Sequence, residues 1–332
     1  MCTATICKDN IMTKIKKIKK IAIISTHSFG YIDFIVEKLN SNESVDLTYV
    51  NIDSIAFSYK NNFERLINLL TKIFFSRNLK EKNRTDYITE VIRNKGAFDQ
   101  IFIIRPDKLE TEALICLREN AIEMSCYLFD GIENYKNQKK TLHFFDSIYS
   151  YDRKDVAKYN FIFLTNYIYD VVIENVIPKQ LVFNISSFDK RFSFIQKTAN
   201  YLEARDISFL FMIRKGIESN ENKITFIKNY LSIAEVKKYI SESKILLDVQ
   251  RENQQGLSFR IFEALGYNKK IITNNVDIVN YDFYDKNNIW VLSEGNYKIP
   301  NSFFETEYIP VAPEILHKYM LDSWLKTIFK VE

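Results

Sequence analysis

The stretch Leu246-Leu247-Asp248-Val249-Gln250, running on to Ile271-Ile272-Thr273-Asn274-Asn275, decides the fold. An apolar run over residues 244–249 reads as a strand. It leads into the polar loop Gln250-Arg251-Glu252-Asn253-Gln254-Gln255. Gly256-Leu257-Ser258 then opens a short helix over 259–265. Gly266 is expected to close that helix before a second apolar strand, 270–273. A strand, a glycine-containing turn and a helix start together make an anion site. The first backbone N–H groups of the helix lack internal partners, and its dipole favours negative charge. Glu263, one turn into the helix, is placed to accept hydrogen bonds from ribose hydroxyls. The unit reads as a site for a nucleotide diphosphate.

Outward from this unit, the chain alternates apolar strands with amphipathic helices. Strands are expected at 21–25, 47–52, 101–104, 124–129, 144–150 and 161–164. Helices are expected at 31–39, 63–75, 87–93 and 110–120. After residues 166–179 the alternation resumes: strands 180–185, 208–213 and 224–230, helices 189–202 and 233–240, a strand at 289–292, a loop over 300–313 and a terminal helix over 314–331. Such alternation implies parallel sheets with helices on both faces and ligands outside the carboxyl ends of the strands.

Composition narrows the class. With 332 residues, 46% hydrophobic and 27% charged, the chain suits two ordinary domains, each able to bury a core. A net charge of +4 does not supply the concentrated basic face that nucleic acid requires. Cys2, Cys7, Cys116 and Cys126 form no Cys-x-x-Cys unit and have no histidines at zinc spacing, so thiols in a reducing compartment are expected. No apolar signal core precedes residue 20. Lys14, Lys16, Lys17, Lys19 and Lys20 form a basic lead-in, either solvated or touching an anionic membrane surface. Phosphate-loop, Gly-x-Gly-x-x-Gly and Gly-x-Ser-x-Gly patterns are missing, which argues against NTPase, dehydrogenase and α/β-hydrolase chemistry.

The segment from Gln255 to Gly266, followed by Lys269-Lys270-Ile271-Ile272-Thr273, resembles the donor-site signature of GT-B glycosyltransferases, those of bacterial capsule and lipopolysaccharide assembly in particular. Phe129-Asp130-Gly131-Ile132-Glu133-Asn134-Tyr135 and the block from Phe145 to Asp155 resemble the same group. The sequence departs from it at one point: many retaining members carry two glutamates eight positions apart, and Gln255 stands where the first would be, with Glu263 as the second.

The resemblance implies an α/β fold of two doubly wound, Rossmann-like domains facing across a cleft, with a C-terminal helix crossing back to the first domain. The expected divisions are a basic lead-in (1–19), an acceptor domain (20–175), a nucleotide-sugar donor domain (176–312) and a returning helix (313–332). The implied activity is glycosyl transfer from a nucleotide sugar to a hydroxyl of a surface-glycan or lipid-linked acceptor. It is expected to be retaining and metal-independent, to need no further cofactor, and to take place in the cytoplasm or at the cytoplasmic face of the membrane. A nucleotide-sugar 2-epimerase and a non-catalytic scaffold subunit are the alternatives.

Several residues carry this expectation. Glu263 would hold the ribose. Ser258 is a helix cap, a phosphate ligand or both. Gly256 and Leu257 would let backbone approach phosphate, and Gln255 would line the loop. Arg260, Arg251 and Arg191 would stabilise the charge of the leaving diphosphate. His27, in the first strand-to-helix loop, is a base, a sugar-orienting group or a loop residue without a role. Asp130, with Arg105 near it, is an acceptor base or a helix cap.

Overall fold

The computed structural model describes residues 18–75, 78–172, 176–221, 223–293 and 297–331. Of the basic lead-in, residues 1–17, with Cys2 and Cys7, lie outside the described residues.

The first sheet has six parallel strands in the order β2-β1-β3-β4-β5-β6. They are β1 (Lys19–Ser25), β2 (Val45–Asn51), β3 (Phe98–Ile104), β4 (Ala121–Leu128), β5 (Ser147–Ser150) and β6 (Ile162–Phe163). The helices of this domain are α1 (Tyr31–Asn40), α2 (Asn62–Phe75), α3 (Leu79–Lys95), α4 (Thr111–Glu119) and α5 (Arg153–Tyr159). Ile21 and Ile23 pack with α1, whereas Ala22 and Ile24 pack with α3 and α4. Both faces of β1 are buried, so its sequence is continuously apolar rather than alternating. The helix α3 starts earlier than its periodicity suggests because Asn78 caps it, accepting from Lys80 N–H at 3.1 Å.

The second sheet runs β13-β12-β11-β7-β8-β10-β9. Its strands are β7 (Gln180–Ser187), β8 (Phe209–Arg214), β9 (Ser219–Glu221), β10 (Ile224–Ile227), β11 (Ser243–Asp248), β12 (Lys270–Thr273) and β13 (Ile289–Val291). All pairings are parallel except β9 with β10, an edge hairpin absent from the sequence reading. The helices are α6 (Phe192–Glu203), α7 (Ile233–Ser241), α8 (Phe259–Gly266) and α9 (Asn301–Glu305). The region 300–313 therefore is not all loop. In each sheet the order reverses beside the first strand: β1 lies between β2 and β3, and β7 between β8 and β11. Loops leaving adjacent strands there diverge to opposite faces and open a crevice at the carboxyl ends.

Of the segment 313–332 expected to return, only the part from Leu321 on packs in the first-domain core; Ile315, Leu316 and Tyr319 pack in that of the second. The single terminal helix expected over 314–331 is two, α10 (Pro313–Lys318) and α11 (Leu321–Phe329). The break has a cause: Ile168 N–H donates to the Tyr319 carbonyl at 2.7 Å and Leu321 N–H to the Ile168 carbonyl at 3.0 Å, so backbone groups serve the crossover segment instead of a helix. Beyond the break, Trp324 packs edge-on against Phe102 and Tyr127, and its Nε1–H donates to the Thr165 carbonyl at 3.1 Å.

Gly266 does not close α8 as expected but is its last residue. A Cβ there would lie 2.5 Å from the Asp170 carbonyl oxygen and 2.8 Å from Ile168 Cγ2. Its role is close approach of the crossover segment. Gly→Ala inside a helix ordinarily stabilises by about 1 kcal/mol. Here Gly266→Ala is expected to destabilise by about 1–3 kcal/mol through overpacking against backbone. The shift of the urea midpoint gives the sign.

Candidate functional site

The loop after β11 is pinned at both ends by one carboxylate. Buried Asp248 accepts from Ser258 Oγ at 2.6 Å and from Thr273 Oγ1 at 3.2 Å. Burial pushes its carboxyl above the usual range, against the pull of the Ser258 hydroxyl and Arg191. The Ser258 oxygen also accepts from Arg260 N–H at 3.2 Å, capping α8. Ser258 is thus the helix cap anticipated, with its hydroxyl proton given to Asp248.

First-domain residues also hold the loop. Gln255 N–H donates to Asp152 Oδ2 at 2.8 Å. The Asn134 amide donates to Gln254 Oε1 at 3.1 Å, and that of Asn166 to the Leu257 carbonyl at 2.9 Å. Asp152 also caps α5 through Lys154 N–H. Gly256 faces the ring of Tyr151: a Cβ would fall 2.1 Å from Tyr151 Cδ2. What approaches Gly256 in this arrangement is a tyrosine of the other domain. The Tyr151 hydroxyl is buried without a partner.

Glu263 is brought to the interdomain seam and is 2% exposed. One carboxylate oxygen accepts from Tyr169 Oη at 2.7 Å and Tyr31 Oη at 3.2 Å, and the other pairs with Arg260 Nη1 at 2.5 Å. Tyr31 stacks on Phe259 with centroids 3.9 Å apart. Burial, then the Glu263 charge, pushes both tyrosine hydroxyls well above their ordinary range. The Arg260 fork, expected to face phosphate, is turned onto Glu263.

The open volume lies to the other side, at the reversal point of the second sheet. A cleft of about 620 Å³ is lined by the loops that follow β7, β11, β12 and β13, with Asn134 of the first domain at its edge. Among the described residues four cations line it: Lys190, Arg191, Lys197 and Arg251. Arg191 is fixed by a fork onto Asp189 (2.9 and 2.7 Å) and by the Val249 carbonyl at 3.2 Å. Burial raises the Asp189 carboxyl, but hydrogen bonds from Arg191 outweigh it and leave it below the usual range. Neither Glu263 nor Ser258 lines this cleft.

Arg251 reaches across the seam to Asp130 Oδ1 at 3.3 Å. Arg105, read from the sequence as the partner of Asp130, spends its fork on Asp107 at 2.8 Å and stacks over Tyr135. Burial lifts the Asp130 carboxyl above its ordinary value of 3.8, while Arg251 and Arg105 pull it back. Just above 3.8 the folded chain holds a proton that the unfolded chain has released, so unfolding free energy falls as pH rises from there through the raised folded pKa. Asp130→Asn is expected to remove this fall. The check is a flatter urea midpoint against pH from about pH 4 upward; an unchanged slope overturns the assignment.

His27 is exposed, and its backbone N–H donates to Asp53 Oδ2 at 2.9 Å. The loop turns sharply after it, with Phe29 (φ 60°) and Gly30 (φ 90°) in the left-handed region, Phe29 edge-on to Tyr230 and Gly30 beneath Ile233. His27 and Asp130 are at the same end of the first sheet, but β3 lies between their strands. The sequence reading gave no role to Tyr31, Tyr151, Tyr169, Asn134 or Asn166, although Asn134 and Tyr151, like Asp152, lie in the blocks that resemble the glycosyltransferases.

No protein-family model and no curated protein matches the chain. Solved structures do. The S. aureus MnaA–UDP co-structure superposes with a TM-score of 0.52 at 12% identity, over 94% of this chain and 98% of that one. UDP-GlcNAc 2-epimerase from Neisseria meningitidis bound to UDP-GlcNAc gives 0.53 at 10% identity, over 94% and 100%. The Methanocaldococcus jannaschii UDP-GlcNAc 2-epimerase complex with UDP-GlcNAc and UDP gives 0.51 at 12%, over 94% and 100%. At such identities the likeness concerns architecture. The chain has the GT-B fold, two doubly wound domains facing across a cleft with the terminal helix returned to the first.

Proposed function

We propose that the protein transfers a sugar from a nucleotide sugar to a hydroxyl of a bacterial surface-glycan or lipid-linked acceptor. The observation that carries this reading is the cationic cleft at the reversal point of the second sheet, with Arg191 held rigid in its wall and Arg251 bridging to Asp130. A fixed guanidinium stabilises charge as it develops on a departing diphosphate without reorganising at that moment. In this reading Arg191 and Arg251, rather than a metal, meet that charge. The second domain holds the nucleotide and the first the acceptor. Three of the structures sharing the fold hold UDP or UDP-GlcNAc, which supports a nucleotide-sugar donor.

Glu263 takes the ribose in a state where the domains have parted. Tyr31 leaves with the first domain, and a ribose hydroxyl replaces its hydroxyl on Glu263, while Tyr169 stays with the second domain through Asp170, which Lys237 and Tyr267 hold. Retention lets the leaving phosphate accept the acceptor proton. Under inversion Asp130 or His27 accepts it.

The epimerase reading draws on the same structural likeness. Epimerisation at carbon needs acid and base groups free to face that carbon. Among the described residues the carboxylates lining the cleft are Asp189 and Glu252, and each is ion-paired, Asp189 to Arg191 and Glu252 to Lys190. Transfer is therefore the reading favoured here. A thermal-shift series with UDP, GDP, CMP and dTDP separates a donor-binding protein from a scaffold, which none of them stabilises. Nucleotide released only when acceptor is present establishes transfer. Interconversion of the nucleotide sugar without acceptor establishes epimerisation and overturns the proposal.

A further inference from the structure

The helix α2 is built inside out. Its polar stripe, Glu64, Asn68 and Thr71, turns toward the protein: Asn68 is 2% exposed and is bonded to Leu79 N–H and Tyr59 Oη. Its apolar stripe turns to solvent. Phe63, Leu66, Leu70, Ile73 and Phe74 are 70%, 52%, 46%, 64% and 72% exposed. These positions recur at helical spacing, so they form one continuous face rather than scattered residues. An exposed apolar face of this kind marks an interaction site.

We infer that α2 lies on an anionic lipid bilayer, its apolar face in the acyl boundary. Charge selects this occupant. Between residues 60 and 84 the chain carries seven Lys or Arg against two Glu. Arg65 and Lys72, two turns apart on the helix, fall along the edge of the apolar arc, where long cationic side chains reach lipid headgroups. A second copy of this chain would set like charges face to face, because a two-fold contact apposes the same patch. Fourteen residues of helix span about 21 Å, short of a bilayer core. Among the described residues no helix is long and apolar enough to cross a membrane. The helix α2 leaves the carboxyl end of β2, and the adjoining loop accepts from His27 N–H through Asp53. The inference stands whether or not the chain is a transferase.

The test uses the full chain with two vesicle types, phosphatidylcholine alone and phosphatidylcholine with phosphatidylglycerol. The protein is expected to co-sediment with the second and to lose binding as salt rises. Leu66→Glu with Ile73→Glu should weaken this by about ten-fold or more. The two side chains are exposed, so the melting temperature and nucleotide-induced shift should hold, and the N-terminal lysines remain as an internal control. Arg65→Gln with Lys72→Gln should reduce the preference for the anionic vesicles. No binding to either vesicle, or binding that survives Leu66→Glu/Ile73→Glu, overturns the inference. So does a dimer in sedimentation equilibrium that the same variant abolishes without any vesicle binding.

Discussion

Glu263→Leu should cost the folded chain about 3–5 kcal/mol, since removing one partner of a buried ion pair leaves the other charge uncompensated. Arg260, only 12% exposed at its side chain, would be that charge. Tyr31 and Tyr169 would lose their shared acceptor as well. A Gln in place of Glu263 keeps an acceptor for the tyrosines and should cost less. The double replacement Glu263→Leu with Arg260→Met should recover most of the loss, because an apolar pair of similar volume often substitutes for a buried ion pair at little cost. Urea midpoints across the three variants form the check. A single leucine variant as stable as the parent would show that the seam does not depend on this network.

The other large effect concerns ligand and not stability. Arg251 is 43% exposed at its side chain, and its 3.3 Å contact with Asp130 is open to screening, so Arg251→Ala should change stability by no more than about 1 kcal/mol. If the leaving diphosphate rests on this side chain, turnover should fall about 10²–10³-fold, the loss typical of one preorganised donor to developing charge. Arg191→Ala is less clean: the Arg191 side chain is itself 19% exposed and its fork onto Asp189 and bond to the Val249 carbonyl would be lost, so folding and binding would change together. Calorimetric titration of UDP and acceptor-dependent nucleotide release read the two steps separately. Unaltered affinity and turnover in Arg251→Ala would remove the cleft from the proposed chemistry.

The contrast between these sites shows what the sequence makes legible. Strands β1, β11 and β12 are readable because burial on both faces writes a continuous apolar run. Ser258 is readable as a cap because its partner is two residues away. The tyrosines on Glu263 lie 232 and 94 residues from it, and no periodicity points at them. They meet only because two domains dock. The same holds for Tyr151 over Gly256: a turn glycine next to a helix start suits a ligand or a neighbouring ring equally well. The break between α10 and α11 was hidden because it answers to Ile168, far away in the chain. Arg105 was paired with Asp130 on strand order, yet Asp107, two residues on, is the nearer partner.

The returned helix α11 has a consequence for biosynthesis. Phe329 accepts through its carbonyl from Lys19 Nζ at 2.7 Å, across 310 residues, and Trp324 and Phe329 are buried beside Phe102 in the amino-terminal core. A ribosome delivers the entire second lobe before that core receives its last aromatic side chains. Domains commonly fold in the order in which they emerge; here the first lobe must wait. Nascent chains stalled ahead of residue 321 should leave Phe102 and Tyr127 uncovered and remain susceptible to protease, until translation of α11 seals them.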